Sequence, residues 1–170
     1  IAFAVATLII NSCEQLSEQE KLAQQIEMQE TKMGELLSER SFNKDEVKTL
    51  LDLYESYYKT FPTDTLAANF LMKAGQNAMS HNMMGKAIRF FDYVEKNYKK
   101  TSHYPMAVFM KGFVYDQLGD TAKARKYYMR FIDNNPNHKL ADDARISIKN
   151  LGKSLEEIVK SFEEQKKDAE

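Results

Sequence analysis

Residues 104–137 contain the feature that most constrains the fold, two helical segments separated by a Gly-Asp turn. Apolar residues recur every three or four positions in the first segment, which places them on the faces of a helix. Gly119 ends that segment, because glycine adopts the left-handed conformation of a helix cap without steric cost. The second segment ends before Pro136, which cannot continue a helix. The stretch therefore predicts an antiparallel helix pair.

Small and aromatic residues are placed so that the two helices can pack closely. Gly112 has no side chain, so a partner helix can approach the first helix there. Ala124, Tyr128 and Phe131 share the face of the second helix that points toward the first. One such pair cannot bury both of its apolar faces, so further pairs must stack beside it.

The same spacing occurs elsewhere in the chain, which indicates an internal repeat. A shift of 37 positions aligns Gly75 with Gly112, Ala87 with Ala124, Phe91 with Tyr128 and Val94 with Phe131. A further shift of 34 positions aligns Ala124 with Ile158 and Tyr128 with Phe162. We therefore predict a helical repeat domain over residues 43–170. Its units lie at about 43–62 (partial), 65–100, 104–137 and 138–168, and the last acts as a cap.

These positions resemble the tetratricopeptide repeat (TPR). The matching residues are Gly112, Tyr115, Ala124, Tyr128 and Pro136, whereas Val108 and Lys111 replace the usual Trp and Leu. The resemblance implies an all-α fold, a right-handed α-α superhelix of about three helix pairs that is preceded by a helical tether. The arrangement, including the stretch 137–164, also resembles TPR lipoproteins of the Bacteroidetes.

The first thirteen residues are uncharged and end at the single cysteine of the chain, Cys13. The apolar run is too short for a membrane-spanning helix, which needs about twenty residues, but it has the length of a signal-peptide core. Ile10 and Ser12 resemble the residues before the cysteine of a bacterial lipobox. The resemblance implies that residues 1–12 are a truncated, cleaved signal peptide and that Cys13 becomes lipid-modified. A buried N-terminal element with a core cysteine is the alternative.

Residues 13–42 are rich in Glu, Gln, Lys and Ser, and they are predicted to be a lipid-anchored polar tether. Leu22, Ile26, Met33 and Leu36 or Leu37 mark a narrow apolar stripe within them. The stripe suits a tether or the leading helix of the first pair, and a weak dimerising coiled coil is the alternative. Asn43 is the predicted N-cap of the next helix, with Glu46 completing a capping box.

Composition and motifs argue against several classes of function. The 24 basic and 25 acidic residues nearly cancel, so the chain lacks the basic excess of a nucleic-acid-binding protein. The histidines His81, His103 and His138 have no metal-binding spacing, and no nucleophile motif or phosphate loop occurs. We therefore predict no enzyme activity, no cofactor and no metal site.

The resemblance to tetratricopeptide repeats implies a concave groove lined by the first helix of each unit. The positions carried over are Asn69, Met72, Gln76, Met79, Met106, Phe109, Phe113, Asp116, Gln117, Asp143, Ser147 and Asn150. Apolar, amide and carboxylate groups together suit an extended peptide or a partner helix. Burial of Met106, Phe109 and Phe113 under neighbouring helices is the alternative.

The sequence thus predicts a non-enzymatic scaffold for protein–protein interaction. It would be lipid-anchored through Cys13 in a bacterial cell envelope, on the periplasmic side of the outer membrane, with the cell surface as another address. The alternatives are an accessory component of outer-membrane protein assembly or envelope maintenance, and a structural protein with weak self-association. No nucleic-acid partner is expected.

Overall fold

The computed structural model describes residues 16–39, 41 and 43–167, so the lipobox and Cys13 lie outside the described residues. Every element within the described part is an α-helix. The helices are α1 (Glu18–Ser38), α2 (Lys44–Thr60), α3 (Thr65–Ser80), α4 (Met84–Asn97), α5 (His103–Gln117), α6 (Thr121–Asn134), α7 (Ala141–Asn150) and α8 (Leu155–Lys167).

Local signals in the sequence set the ends of several helices. Ser17 and Glu20 form a capping box at the start of α1. Asn43 caps α2 as predicted, since its side chain accepts a hydrogen bond from the Asp45 amide. The predicted capping box with Glu46 is absent at that end, because the Glu46 carboxylate accepts hydrogen bonds from α1 instead. Gly119 has a φ of 73°, as a left-handed helix end requires.

Consecutive helices pack as antiparallel neighbours from α1 through α7, so that α1–α2, α3–α4 and α5–α6 form stacked pairs. This confirms the predicted all-α fold class, with adjacent helix pairs packed as in a TPR-like superhelix. One continuous core joins α1 to α5, and a second cluster joins α5, α6 and α7. Because α5 contributes to both clusters, the array is a single packed body.

The predicted close approach is present in the α3–α4 and α5–α6 pairs. A Cβ atom added at Gly112 would lie 2.8 Å from Cδ1 of Tyr128, and one added at Gly75 would overlap the ring of Phe91. Both rings are fully buried. The two glycines therefore let an aromatic ring of the second helix pack directly against the backbone of the first.

Residues 18–38, which lie within the predicted tether, form a helix packed on α2. Ile26 and Met33, two residues of the predicted apolar stripe, are buried in the core. Glu46 also connects the two helices, since it accepts hydrogen bonds from Gln29 (2.7 Å) and Lys32 (2.6 Å) of α1. In this structure α1 is the first helix of the first pair.

The last helix packs more loosely than the others. No extensive contact joins α8 to another described helix, and the side chains of Leu155 and Val159 are 81% and 55% exposed. By contrast, Ala141 and Ala144 of α7 are buried against the preceding pair. The tightly packed part of the array therefore ends at α7.

The glycine contacts give a test of the packing. Gly75→Ala should destabilise the protein by roughly 1–3 kcal/mol, because its new methyl group overlaps the buried Phe91 ring. Gly34→Ala is the matched control on α1, where an added Cβ meets nothing within 4 Å. It should stabilise by up to about 1 kcal/mol through helix propensity. Urea unfolding followed by circular dichroism measures both, and equal effects would contradict the packing account.

Candidate functional site

The first helices of successive pairs share one face of the array, here named the groove face (α1, α3, α5 and α7). Lys73 of α3 forms an ion pair with Glu30 of α1, with 2.7 Å between Nζ and Oε1, and α3 also contacts α5. The second helices α2, α4 and α6 form the opposite back face. Arg89 of α4 binds Glu55 of α2 there, at 2.9 Å.

The structure divides the twelve predicted groove residues by exposure. Four are exposed, namely Gln76, Phe113, Gln117 and Asp143. Seven are half-buried, namely Asn69, Met79, Met106, Phe109, Asp116, Ser147 and Asn150. Met72 alone among the twelve is buried, at 4% exposure, and belongs to the first core cluster.

Neighbouring helices explain why the larger apolar residues are partly covered. The ring of Phe109 lies 5.5 Å from that of Tyr128 and 5.3 Å from that of Phe131, centroid to centroid, so it packs mainly on α6. Met79 and Met106 pack against the first core cluster. Phe113 remains 37% exposed and is the most accessible aromatic side chain among the predicted residues.

Two predicted groove residues, Asp116 and Ser147, influence the hydroxyl of the buried Tyr128. Burial raises the pKa of Tyr128 to about 12, a hydrogen bond with the Ser147 side chain opposes that shift, and the Asp116 charge adds to it. The ring itself belongs to the second core cluster, together with Val108 of α5 and Ala144 of α7. Tyr128 therefore connects the α5–α6 pair to the next helix of the array.

Asp116 is itself partly removed from water, and burial raises the pKa of its carboxyl group. A carboxylate that is partly removed from water keeps its charge at a cost in free energy. Asp116 is thus a half-buried acidic residue near the end of α5.

A second part of the groove face was not predicted from the sequence. A groove of about 510 Å³ lies between α1 and α3. Its lining includes Leu16, Ala23, Ile26 and Phe70 as apolar members, with Glu20, Gln24, Glu27, Glu30 and Lys73 as polar members. The sequence resemblance to the repeat covers the chain only from about residue 43, so it does not assign α1 as a helix that lines the groove.

The sequence does contain a signal for this second part. Glu20, Gln24 and Glu27 recur at spacings of four and three, so they share one helix face beside the buried Ile26. Once α1 is treated as the first helix of a pair, that polar row falls on the groove face. Ile26 of the apolar stripe also borders this groove, whereas Leu22 and Met33 belong to the core packing of α1.

Charge differs between the two faces. Helix α1 has five Glu and two Lys residues, a net charge of −3, whereas α6 has four basic residues and one Asp, a net charge of +3. Lys73, the basic residue in the lining of the α1–α3 groove, is neutralised by Glu30. The α1 end of the groove face therefore has a net negative charge, and the back face at α6 has a net positive charge.

A buried ionic cluster joins the second and third pairs. The Lys111 side chain is only 4% exposed and pairs with Asp92 and with Glu95, the latter at 2.7 Å. Arg130 of α6 binds the same Glu95 at 2.9 Å. The Lys111 ammonium also lies 4.2 Å from the ring centroid of Tyr127, a cation–π contact. Lys111 stands where the repeat usually has Leu, and the cluster explains how a lysine is tolerated there.

Candidate metal ligands do not cluster in the described part of the chain. No group of His, Cys, Asp and Glu residues there could hold a metal ion. His138 accepts a hydrogen bond from the Leu140 amide and lies edge-on to Phe131, which is a local structural role. Among the same residues, no helix is long and apolar enough to cross a membrane.

Comparison with known proteins supports one family of repeats. Residues 106–138 match the family model of the tetratricopeptide repeat, a segment that covers most of α5, all of α6 and the connection to α7. No curated protein matches the chain. The match supports a tetratricopeptide-repeat protein, and such repeats are in general interaction modules rather than catalytic ones.

The ionic cluster predicts a pH-dependent contribution to stability. Burial opposes ionisation of Glu95, but hydrogen bonds from Arg130 and Lys111 outweigh it and hold the pKa below its usual 4.5. A depressed carboxyl pKa stabilises the fold at higher pH, and that contribution is lost as the pH falls below 4.5 through the folded-state pKa.

Glu95→Gln should therefore lower the free energy of unfolding at pH 7 by roughly 1.5–3 kcal/mol, because two charged donors lose their charged acceptor. The difference from wild type should shrink as the pH is lowered from about 5 to 3. Glu35→Gln, at an exposed site on α1, is the control and should change stability by less than about 0.5 kcal/mol. A pH-independent loss in the Glu95 variant would contradict the charge-based account.

Proposed function

We propose that this protein is a non-enzymatic scaffold that binds an extended peptide or a helix of a partner protein on its groove face. The observation that carries the proposal is the accessible groove along α1 and α3, combined with the match of residues 106–138 to an interaction repeat. Tetratricopeptide arrays typically bind other proteins, and the groove face has both apolar and polar groups for that purpose.

The stacked helices support this function by holding the groove residues in place. Backbones on the groove face are fixed by pairs such as Gly112 with Tyr128, so binding would require little ordering of the scaffold. The accessible side chains, including Phe113, Gln117 and Gln76, would then provide the contacts. A groove whose backbone is fixed and whose side chains can change rotamer suits the binding of one segment of a partner protein at a time.

We also propose that Cys13 is lipid-modified and that the domain is held at a bacterial envelope membrane, on the periplasmic side of the outer membrane. An apolar stretch that ends at the single cysteine and is followed by polar sequence supports this placement. Each buried methylene of an acyl chain contributes about 0.8 kcal/mol, so two or more chains can retain a helical domain at a membrane.

Lipid modification can be tested by growing cells that express the complete gene product with an alkyne-bearing palmitate analogue. The wild-type protein should incorporate the label and partition into the membrane fraction, because the acylated glyceryl group is attached to the Cys13 sulfur through a thioether. Cys13→Ser should lose the label and accumulate as unprocessed precursor. Equal labelling of both proteins would refute the assignment.

The binding surface can be tested by photo-crosslinking in intact cells. A photoreactive phenylalanine at Phe113 reports on the groove face, where the native side chain is 37% exposed. The same residue at Met129, which is 50% exposed on α6, is the matched control on the back face. We expect a discrete crosslinked protein from position 113 and none from position 129. Crosslinks from position 129 alone would place the interaction on the back face and overturn the groove proposal.

A further inference from the structure

Two cavities on the groove face lie end to end along α1. The first is the α1–α3 groove of about 510 Å³. The second has a volume of about 310 Å³, and its lining includes the apolar side chains of Met33, Leu37 and Leu50. Glu30 and Lys73, which form an ion pair at 2.7 Å, border both cavities. The two cavities together are here named the extended groove, and the ion pair lies between its two parts.

One row of α1 residues lines the extended groove. Its members are Glu20, Ala23, Glu27, Glu30, Gly34 and Leu37. They follow one another at alternating steps of three and four residues, which is the spacing along the seam between two helices packed side by side. A helix of a partner can follow such a row over its whole length. An extended strand cannot, because its successive side chains, about 3.3 Å apart, point to opposite faces.

Gly34 shows where the bound helix comes closest to α1. Glycine in the interior of a helix is destabilising relative to alanine. Gly75 and Gly112 each receive an aromatic ring from the second helix of their own pair, but a Cβ atom added at Gly34 would meet nothing within 4 Å. Packing within the described part of the chain therefore does not require Gly34. The position leaves room in the second cavity for a bulky apolar side chain, beside Leu37, which is 60% exposed.

Charge determines what the bound helix places over the first cavity. Glu20 and Glu27 line that cavity and are exposed, whereas Lys73 in the same lining is engaged by Glu30. A basic side chain opposite Glu27 would form a charge-assisted hydrogen bond with its carboxylate. The α1 helix of a second copy would instead bring its own glutamates against these ones, which is unfavourable.

We propose that the extended groove binds an amphipathic helix of the partner protein, with a bulky apolar side chain in the cavity at Gly34 and an Arg or Lys side chain opposite Glu27. This inference rests on the proposed scaffold function and adds the conformation and the chemistry of the bound segment.

The spacing on α1 sets the spacing on the bound helix. Gly34 lies seven residues from Glu27 and eleven from Ala23, which correspond to about 10 Å and about 16 Å along a helix. On a helix beside α1, residues that are seven and eleven positions apart also share one face. The basic residue therefore lies seven positions from the bulky apolar one, and a second apolar residue four positions further on lies over Ala23.

The test uses fluorescein-labelled peptides of about eighteen residues built on alanine and glutamine, a length at which an alanine-rich helix forms. A stripe peptide has phenylalanine, then arginine seven residues later, then leucine four residues after that. A second stripe peptide has the reverse order, because a bound helix can run either way along α1. A control peptide has the same composition, with these three residues on different sides of the helix.

Fluorescence anisotropy measures how tightly each peptide binds the protein. One of the two stripe peptides should bind at least about tenfold more tightly than the control peptide, because only a stripe peptide can place all three side chains in the extended groove. Equal binding of all three peptides would overturn the proposal.

Gly34→Leu separates binding from folding. The new side chain occupies the second cavity, so binding of the stripe peptide should weaken at least about tenfold. Thermal stability should stay the same or rise, because leucine favours a helix more than glycine does and the added Cβ has open space.

Gly85→Leu is the matched control on α4, on the back face. A Cβ atom added at Gly85 also meets nothing within 4 Å, so this variant should fold, and it should change peptide binding less than about twofold. Unchanged binding in the Gly34 variant, or equal losses in the two variants, would overturn the assigned site.

Glu27→Gln tests the charge of the bound segment. It should weaken binding of the stripe peptide about fivefold, whereas Glu35→Gln, the same change at an α1 residue that lines neither cavity, should weaken it less than about twofold. When citrulline replaces arginine in the peptide, Glu27→Gln should have no further effect, because the ion pair is already absent. Equal losses in the two variants would show attraction to overall charge and would overturn the contact with Glu27.

The outcome for the bound helix can be distinguished from the outcome for the scaffold. If a photoreactive residue at position 113 crosslinks a cellular protein but neither stripe peptide binds, the helix in the extended groove is wrong and the scaffold function stands. If position 113 captures nothing and no peptide binds, both proposals fail. If the protein alone forms dimers in sedimentation that Gly34→Leu dissociates, the occupant is a second copy and the proposed partner helix is wrong. Stripe-peptide binding that Gly34→Leu abolishes, together with capture at position 113, supports both proposals.

Discussion

A contact between a helix backbone and an aromatic ring holds the second and third pairs of this array together. Gly75 receives the ring of Phe91, and Gly112 receives the ring of Tyr128, at equivalent points of two successive pairs. Because the rings are fully buried, they set the distance between the two helices of a pair. That distance determines where the next pair can stack, and hence the direction in which the groove residues point. The geometry of the groove face therefore depends on Gly75 and Gly112, two residues that have no side chain.

Ion pairs contribute to the stacking between successive pairs. The second and third pairs meet through the buried cluster of Lys111, Glu95 and Arg130, in which every charge has an opposite neighbour. Such a cluster adds little net stability compared with a well-packed apolar contact, since burying charges costs about as much as their attraction returns. The cluster does disfavour a shift in the register of the helices, because a shifted helix would leave a buried charge without its opposite partner. The ionic junction thus fixes which faces of α4, α5 and α6 meet.

Sequence patterns predicted the features that depend on local geometry or on repetition. Gly119 at a left-handed helix end and Asn43 as an N-cap follow from the conformations that these residues favour, and both are present. The equivalence of Gly75 and Gly112 followed from spacing alone. Features that depend on long-range contacts were harder to predict. The partner of Glu46 is on α1, and the burial of Met72 depends on helices whose register no local pattern specifies.

The connection between the last pair and α7 could not be predicted from the sequence. Periodicity assigns Asp116 and Ser147 to faces of their helices, but it does not show that the ring of Tyr128 packs in one cluster with Val108 of α5 and Ala144 of α7. An aromatic residue at that repeat position is expected to be core, and the ring does fill the space beside Gly112. Because the same ring also belongs to the cluster that holds α7, the position of α7 on the groove face depends on a core contact that no local pattern specifies.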